Sequence, residues 1–106
     1  MLEGVVVRLW HGGKRRPAVV LRDLVNAYHV FFATSVVRRN PRAVTIKRGT
    51  DRAAMMGLKK TTFFYADSGE IAFVRADVVE NADRLGRAPA DVLNELGRLL
   101  GTPDPG

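Results

Sequence analysis

The sequence contains no cysteine. That excludes disulfides and thiolate metal sites, and it fits a reducing cytoplasm, which is the expected location. Histidine is nearly absent as well; the two present, His11 and His29, have no matched carboxylate spacing and do not make a metal-ligand set. No apolar run approaches the roughly 18 residues of a membrane-spanning helix, so no membrane partner is expected. The opening MLEGVVVRLW has no basic segment ahead of a long apolar one, so no secretory signal is expected either. Gly12-Gly13-Lys14 lacks the spacing of a phosphate-cradling glycine loop, and no serine sits in a nucleophile-elbow pattern. No cofactor is expected from these motifs.

What is present is an ordinary apolar share, 46%, in 106 residues. That is enough for one compact domain, expected over 1–101, with 102–106 as a flexible tail. The net charge is +6 and unevenly placed. Residues 1–60 carry 13 Lys and Arg against three acids, Glu3, Asp23 and Asp51, whereas 61–106 carry four Arg against eight acids. A concentrated basic half attracts phosphate backbones, because neutralising them releases counterions. A solvated basic surface is the plainer alternative.

The apolar pattern reads as short strands with one helix. Gly4 to Trp10 alternates, with Val5, Val7 and Leu9 on one side and Val6 and Arg8 on the other. Paired glycines break it at 12 and 13. Pro17 suits the first position of a strand or an edge, and Ala18-Val19-Val20-Leu21 reads as buried on both faces. Ala27 to Thr34 is the next strand; Tyr28, Val30, Phe32 and Thr34 share one face, His29, Phe31, Ala33 and Ser35 the other. Ala43 to Lys47 makes a short strand after a polar loop at 38–42, and one helical turn is expected around Arg52–Met56. Lys60–Ala66 and Ile71–Val74 read as a hairpin across Asp67-Ser68-Gly69. From Pro89 on, Val92, Leu93, Leu96, Leu99 and Leu100 recur at helical spacing, with Pro89 suited to N1 and Gly101 to a C-cap. The fold class is mainly β, a barrel or sandwich, with that amphipathic helix laid on it.

Two groups of residues carry chemistry. Lys14-Arg15-Arg16-Pro17 puts three cations at the mouth of a buried strand. Arginine presents a planar fork that binds two phosphate oxygens and keeps its proton at neutral pH. Ala33-Thr34-Ser35 closes the following strand with two hydroxyls, each able to donate to a phosphate oxygen. The plainer alternatives are a surface arginine lying along apolar area and a hydroxyl capping a turn.

The ordered set resembles the MazF/PemK toxins. A strand ends in a glycine-bearing loop; KRRPAVVL follows; the next long strand closes in ATS; then come GLKKTTFFYA, RLGR and a terminal amphipathic helix. The resemblance covers most of the chain. It implies a small SH3-like barrel acting as a homodimer, and a toxin of a type II toxin–antitoxin system. It implies a metal-independent endoribonuclease that cuts single-stranded RNA at short sequences, and an antitoxin whose acidic C-terminal segment blocks the RNA groove. Arg16 and Thr34 take the family's catalytic positions. The sequence departs from the family pattern in the short connection around His11–Arg15, where a longer loop is usual, and in Val5, where an acid usually follows the first glycine.

The chemistry expected is attack of the RNA's own 2′-OH on the adjacent phosphorus, giving 2′,3′-cyclic phosphate and 5′-OH ends. Arg16 would offset phosphorane charge and Thr34 would donate to a non-bridging oxygen. Lys14, Arg15 and Arg38 would grip neighbouring phosphates, with Ser35 assisting Thr34. The alternatives are a non-catalytic nucleic-acid-binding barrel and a protein-targeting toxin of the CcdB type. The nuclease reading expects Arg16→Ala to abolish cleavage with little change in thermal unfolding.

Overall fold

The structure is a computed structural model that describes residues 2–39, 42–66 and 70–101. Seven strands and three helices follow in the order β1 (Val5–His11), β2 (Lys14–Asp23), β3 (Ala27–Phe32), β4 (Ala43–Ile46), α1 (Asp51–Met56), β5 (Thr62–Tyr65), β6 (Ile71–Arg75), α2 (Ala76–Glu80), β7 (Asp83–Arg87) and α3 (Ala90–Gly101). Strands β6-β3-β2-β1-β7 form an antiparallel sheet, and β4-β5 form a second. A bridge between Thr34 and Phe63 joins the two. The mainly β architecture with a C-terminal helix is the expected one, with the barrel left open between its sheets.

Local chemistry explains the first hairpin. His11 pairs with Lys14 across Gly12-Gly13, both at positive φ (61° and 80°). Two such residues in succession make the tight turn whose twist matches paired strands. The continuous apolar run in β2 follows from burial on both sides of the large sheet. Val19 packs in one cluster with Val6, Phe31 and Ala33, against β4, β5, α1 and α3. Ala18 and Val20 pack in the other with Val5, Val7, Val30 and Phe32, closed by Val79 of α2. Each fully buried Val or Phe contributes about 1.5–3 kcal/mol of burial, which commits the strand to this depth.

The expected helical turn is α1. Thr50 Oγ1 accepts the Ala53 N–H at 3.3 Å, and Asp51 suits the helix N-terminus. Helix α3 buries Val92 and Leu96 with Leu93, Leu99 and Leu100 half-buried, so its stripe faces the core as expected. Arg52 ties the two helices together by pairing with Asp91 and Glu95. The Asp91 carboxyl is held below the usual carboxylate range, chiefly by its hydrogen bond from Arg52.

One pairing differs from expectation. Strand β5 pairs with β4, and β6 pairs with the free edge of β3; they do not form a hairpin with each other. The turn triplet Asp67-Ser68-Gly69 and the tail 102–106 lie outside the described residues. The physical reason is packing. Phe64 belongs beside Val44 and Ile46 in the first cluster, whereas Ala72 and Val74 flank the second. Two elements were not expected at all, α2 and β7. Strand β7 carries Asp83, Arg84 and Arg87 and pairs with β1 at the far edge of the sheet.

Strand β7 also sets a tight contact. A Cβ on Gly86 would lie 2.3 Å from the Met55 carbonyl oxygen and 2.7 Å from the Met56 carbonyl carbon. Backbone of α1 therefore rests directly on backbone of β7. Gly86→Ala is expected to lower unfolding free energy by about 2 kcal/mol or more, as overpacking does. Gly97→Ala, on the open face of α3 with nothing within 4 Å, is expected to raise it by about 1 kcal/mol through helix propensity. Urea unfolding of both variants checks the pair; equal effects would remove the close-approach argument.

Candidate functional site

The site forms where β2 leaves its turn and β3 ends. Lys14 and Arg15 project into solvent, while the Arg16 side chain is only 14% exposed. The Arg16 Nε–H donates to the Ala33 carbonyl at 2.8 Å. Its terminal nitrogens pair with the carboxylate of Glu70, Nη1 donating to Oε1 at 3.4 Å and Nη2 to Oε2. The guanidinium carbon lies 5.8 Å from the centre of the Phe32 ring.

Thr34 is buried one residue past the Ala33 carbonyl that Arg16 grips. Its backbone exchanges both hydrogen bonds with Phe63, at 3.0 and 2.7 Å, so the sheet junction fixes its position. Its Oγ1 accepts the Val36 N–H at 3.1 Å, a turn typical of threonine. The hydroxyl proton stays available to donate elsewhere.

Arg16 and Thr34 line one cavity of about 500 Å³. Five further cations line it: Arg8, Lys14, Arg15, Lys59 and Lys60. Ser35 and Thr62 add hydroxyls, and Pro17, Leu58 and Leu85 give apolar wall. No acid lines it among the described residues, though Asp83 pairs with Arg15 at 3.0 Å. A cavity of that lining suits a polyanion carrying flat apolar groups, as a nucleotide chain does. Among the described residues no cluster of His, Asp and Glu is able to hold a metal ion.

No protein-family model matches the chain, and no curated protein does. Solved structures do match. A chain of the MazE–MazF crystal structure from Deinococcus radiodurans has 28% identity and a TM-score of 0.67, over 94% of this chain and 90% of that one. An endoribonuclease in complex with its cognate antitoxin from a mycobacterial species has 20% identity and a TM-score of 0.72, over 96% and 92%. The Mycobacterium tuberculosis toxin MazF-mt6 has 16% identity and a TM-score of 0.68, over 93% of each chain. The chain shares the fold of these MazF structures over nearly its whole length.

Sequence reading named five of the nine cationic and hydroxyl residues that line this cavity among the described residues: Lys14, Arg15, Arg16, Thr34 and Ser35. It missed Arg8, Lys59, Lys60 and Thr62. The adjacent lysines of GLKKTT were the available signal, hidden because a charge pair after a helix reads as a solvated face. Arg38 is not in the cavity wall. Its guanidinium sits 3.6 Å from Glu70 Oε1 and over the Tyr65 ring, and its backbone N–H donates to the Tyr65 hydroxyl at 2.8 Å. Glu70, which holds both arginines, was not anticipated.

The histidines stand apart from the cavity. His11 stacks on Phe32 and His29 on Phe73, with ring centres 4.0 and 4.8 Å apart. Burial, and then the nearby Arg22, push the His29 pKa below its ordinary 6.5. The folded protein therefore resists protonation there. Any contribution of His29 to stability is full above the unfolded-state pKa and declines as pH falls below it. An NMR titration is expected to give a His29 midpoint below 6.5; a midpoint above it would contradict the desolvated environment.

Proposed function

We propose that this protein is a MazF-family toxin of a type II toxin–antitoxin pair and cuts single-stranded RNA without a metal ion. The observation that supports the reading is the meeting of Arg16 and the Thr34 hydroxyl in one cationic cavity, with no acid in its lining among the described residues. The similar solved structures support it further, one being an endoribonuclease with its antitoxin and another a MazE–MazF complex.

The substrate brings its own nucleophile. A 2′-OH attacks the adjacent phosphorus in line, the 5′-oxygen leaves, and the products are a 2′,3′-cyclic phosphate and a 5′-OH end. The protein orients the backbone and offsets the charge of the phosphorane. Arg16 supplies that charge and donates toward the leaving oxygen; a guanidinium holds its proton too tightly to act as base. Thr34 donates its hydroxyl proton to a non-bridging oxygen, with Ser35 beside it. Lys14, Arg15, Lys59 and Lys60 hold flanking phosphates, while Arg38 acts through Glu70 rather than on the RNA.

The same basic cavity is the surface an acidic antitoxin segment would cover, and we assign the cognate antitoxin to it. A homodimer in the cytoplasm completes the reading. No helix among the described residues is long and apolar enough to cross a membrane.

The fold revises one expectation. Arg16→Ala strands the Glu70 carboxylate, whose side chain is 8% exposed. Losing one partner of a buried pair costs on the order of 3 kcal/mol, partly relieved by Arg38. That variant therefore confounds activity with folding, whereas Arg16→Lys keeps a cation against Glu70 and loses the fork. In EDTA, the parent is expected to generate 5′-hydroxyl ends in RNA and to leave DNA intact, since DNA has no 2′-OH. Arg16→Lys and Thr34→Val are each expected to slow cutting by about two to three decades, the loss typical of a removed oxyanion donor. Parent-like rates in both would remove the Arg16 and Thr34 assignment; RNA bound by the parent but left intact would leave a non-catalytic nucleic-acid-binding barrel, and RNA left intact with gyrase inhibited would favour the CcdB-like alternative.

A further inference from the structure

Only three polar or charged side chains are buried among the described residues: Thr34, Thr62 and Glu70. Two line the cavity. Glu70 does not; it lies behind Arg16. A carboxylate in that position is not placed to take a proton from a substrate in the cavity. It is placed to govern the arginine in front of it.

The geometry is specific. Glu70 stands just ahead of β6, and its carbonyl accepts the Phe32 N–H at 2.7 Å, which ties it to the end of β3. Its two carboxylate oxygens take the two terminal nitrogens of Arg16, one each. Ala33 takes Nε–H. A guanidinium has five N–H donors. These contacts use three and fix the plane of the group, leaving one N–H on each terminal nitrogen, the two on opposite sides of the group. Arg38 stands 3.6 Å from Oε1, so the carboxylate is braced from a second side, by the segment that follows Thr34 and Ser35.

We propose that Glu70 is the positioning residue of the cleavage reaction: it holds the Arg16 guanidinium so that a remaining terminal N–H faces the scissile phosphate. The proposal rests on the nuclease reading above. It separates two quantities that a purely structural carboxylate would move together. Without Glu70 the Arg16 fork loses its aim, and a misplacement of about 1 Å costs on the order of a hundredfold in rate. The cavity also loses a neighbouring negative charge, so its attraction for a phosphate chain rises. Turnover should fall while binding holds or tightens.

The experiment uses an RNA oligonucleotide spanning a mapped cut, and the same oligonucleotide with a 2′-deoxy sugar at the cut nucleotide as a non-cleavable probe. Glu70→Gln keeps the shape and one acceptor, and is expected to lower kcat about tenfold; Glu70→Ala is expected to lower it about a hundredfold. Both are expected to bind the deoxy probe at least as tightly as the parent, with native circular dichroism. Parent-like kcat in Glu70→Gln and Glu70→Ala, beside a crippled Arg16→Lys, overturns the positioning role and leaves the nuclease reading standing. Loss of probe binding in step with kcat overturns it too, since that is the mark of a site merely deformed. If Arg16→Lys itself cuts at the parent rate, the Arg16 assignment falls and the Glu70 proposal falls with it; if the parent leaves the RNA intact, the nuclease reading itself falls.

Discussion

A guanidinium withdrawn from water must have its charge answered within the protein. In this fold the answer is the Glu70 carboxylate, and much of the site's geometry descends from that pairing. Arg16 comes from β2, Glu70 from the residue before β6, and the Ala33 carbonyl from the end of β3. Three segments distant in sequence are thereby held to one point. Arg38 adds a fourth, because its guanidinium approaches the same carboxylate. The ion pair is weak grounds for stability, given the desolvation of both partners. Its effect is orientation.

The orientation has force because the frame around it is rigid. The large sheet is packed on both faces, Val19 and Phe31 to one side and Val20, Val30 and Phe32 to the other. Strand β2 therefore cannot shift its register without moving apolar side chains from one core to the other. The second sheet meets the first at Thr34 and Phe63, so Thr34 is held by the junction of two layers. Cationic residues then ring a cavity whose wall is partly apolar. Under the proposed reading, the barrel supplies stiffness, the junction supplies placement and the basic rim supplies attraction.

Local signals made the first half of the chain legible. Alternation gave β1, the double glycine gave the turn, and the apolar run after Pro17 announced a doubly buried strand. The helical stripe from Val92 to Leu100 was equally plain. What failed depended on partners far along the chain. The turn signal at Asp67-Ser68-Gly69 argues for a hairpin, but the packing of Phe64 and of Val74 sends β5 and β6 to different sheets. Strand β7 escaped notice because Asp83, Arg84 and Gly86 dilute its apolar pattern; it is an edge strand, half-buried at Leu85 and Gly86. Glu70 reads as a solvated acid beside a turn, and only the fold brings it to an arginine 54 residues away. Lys59 and Lys60 were visible as a pair, but their reach to the cavity depends on α1 turning the chain back toward β7.

The two-residue connection between β1 and β2 has a kinetic side. His11 and Lys14 are directly paired, so no long flap leaves the sheet there to fold over the cavity. Entry is then a matter of diffusional encounter with a charged mouth, without a closure step at that edge, and its rate should respond to ionic strength as steered association does. Under the proposed reading, an RNA strand and an acidic polypeptide would meet the same entrance at that edge, and the winner would be set by abundance and residence time.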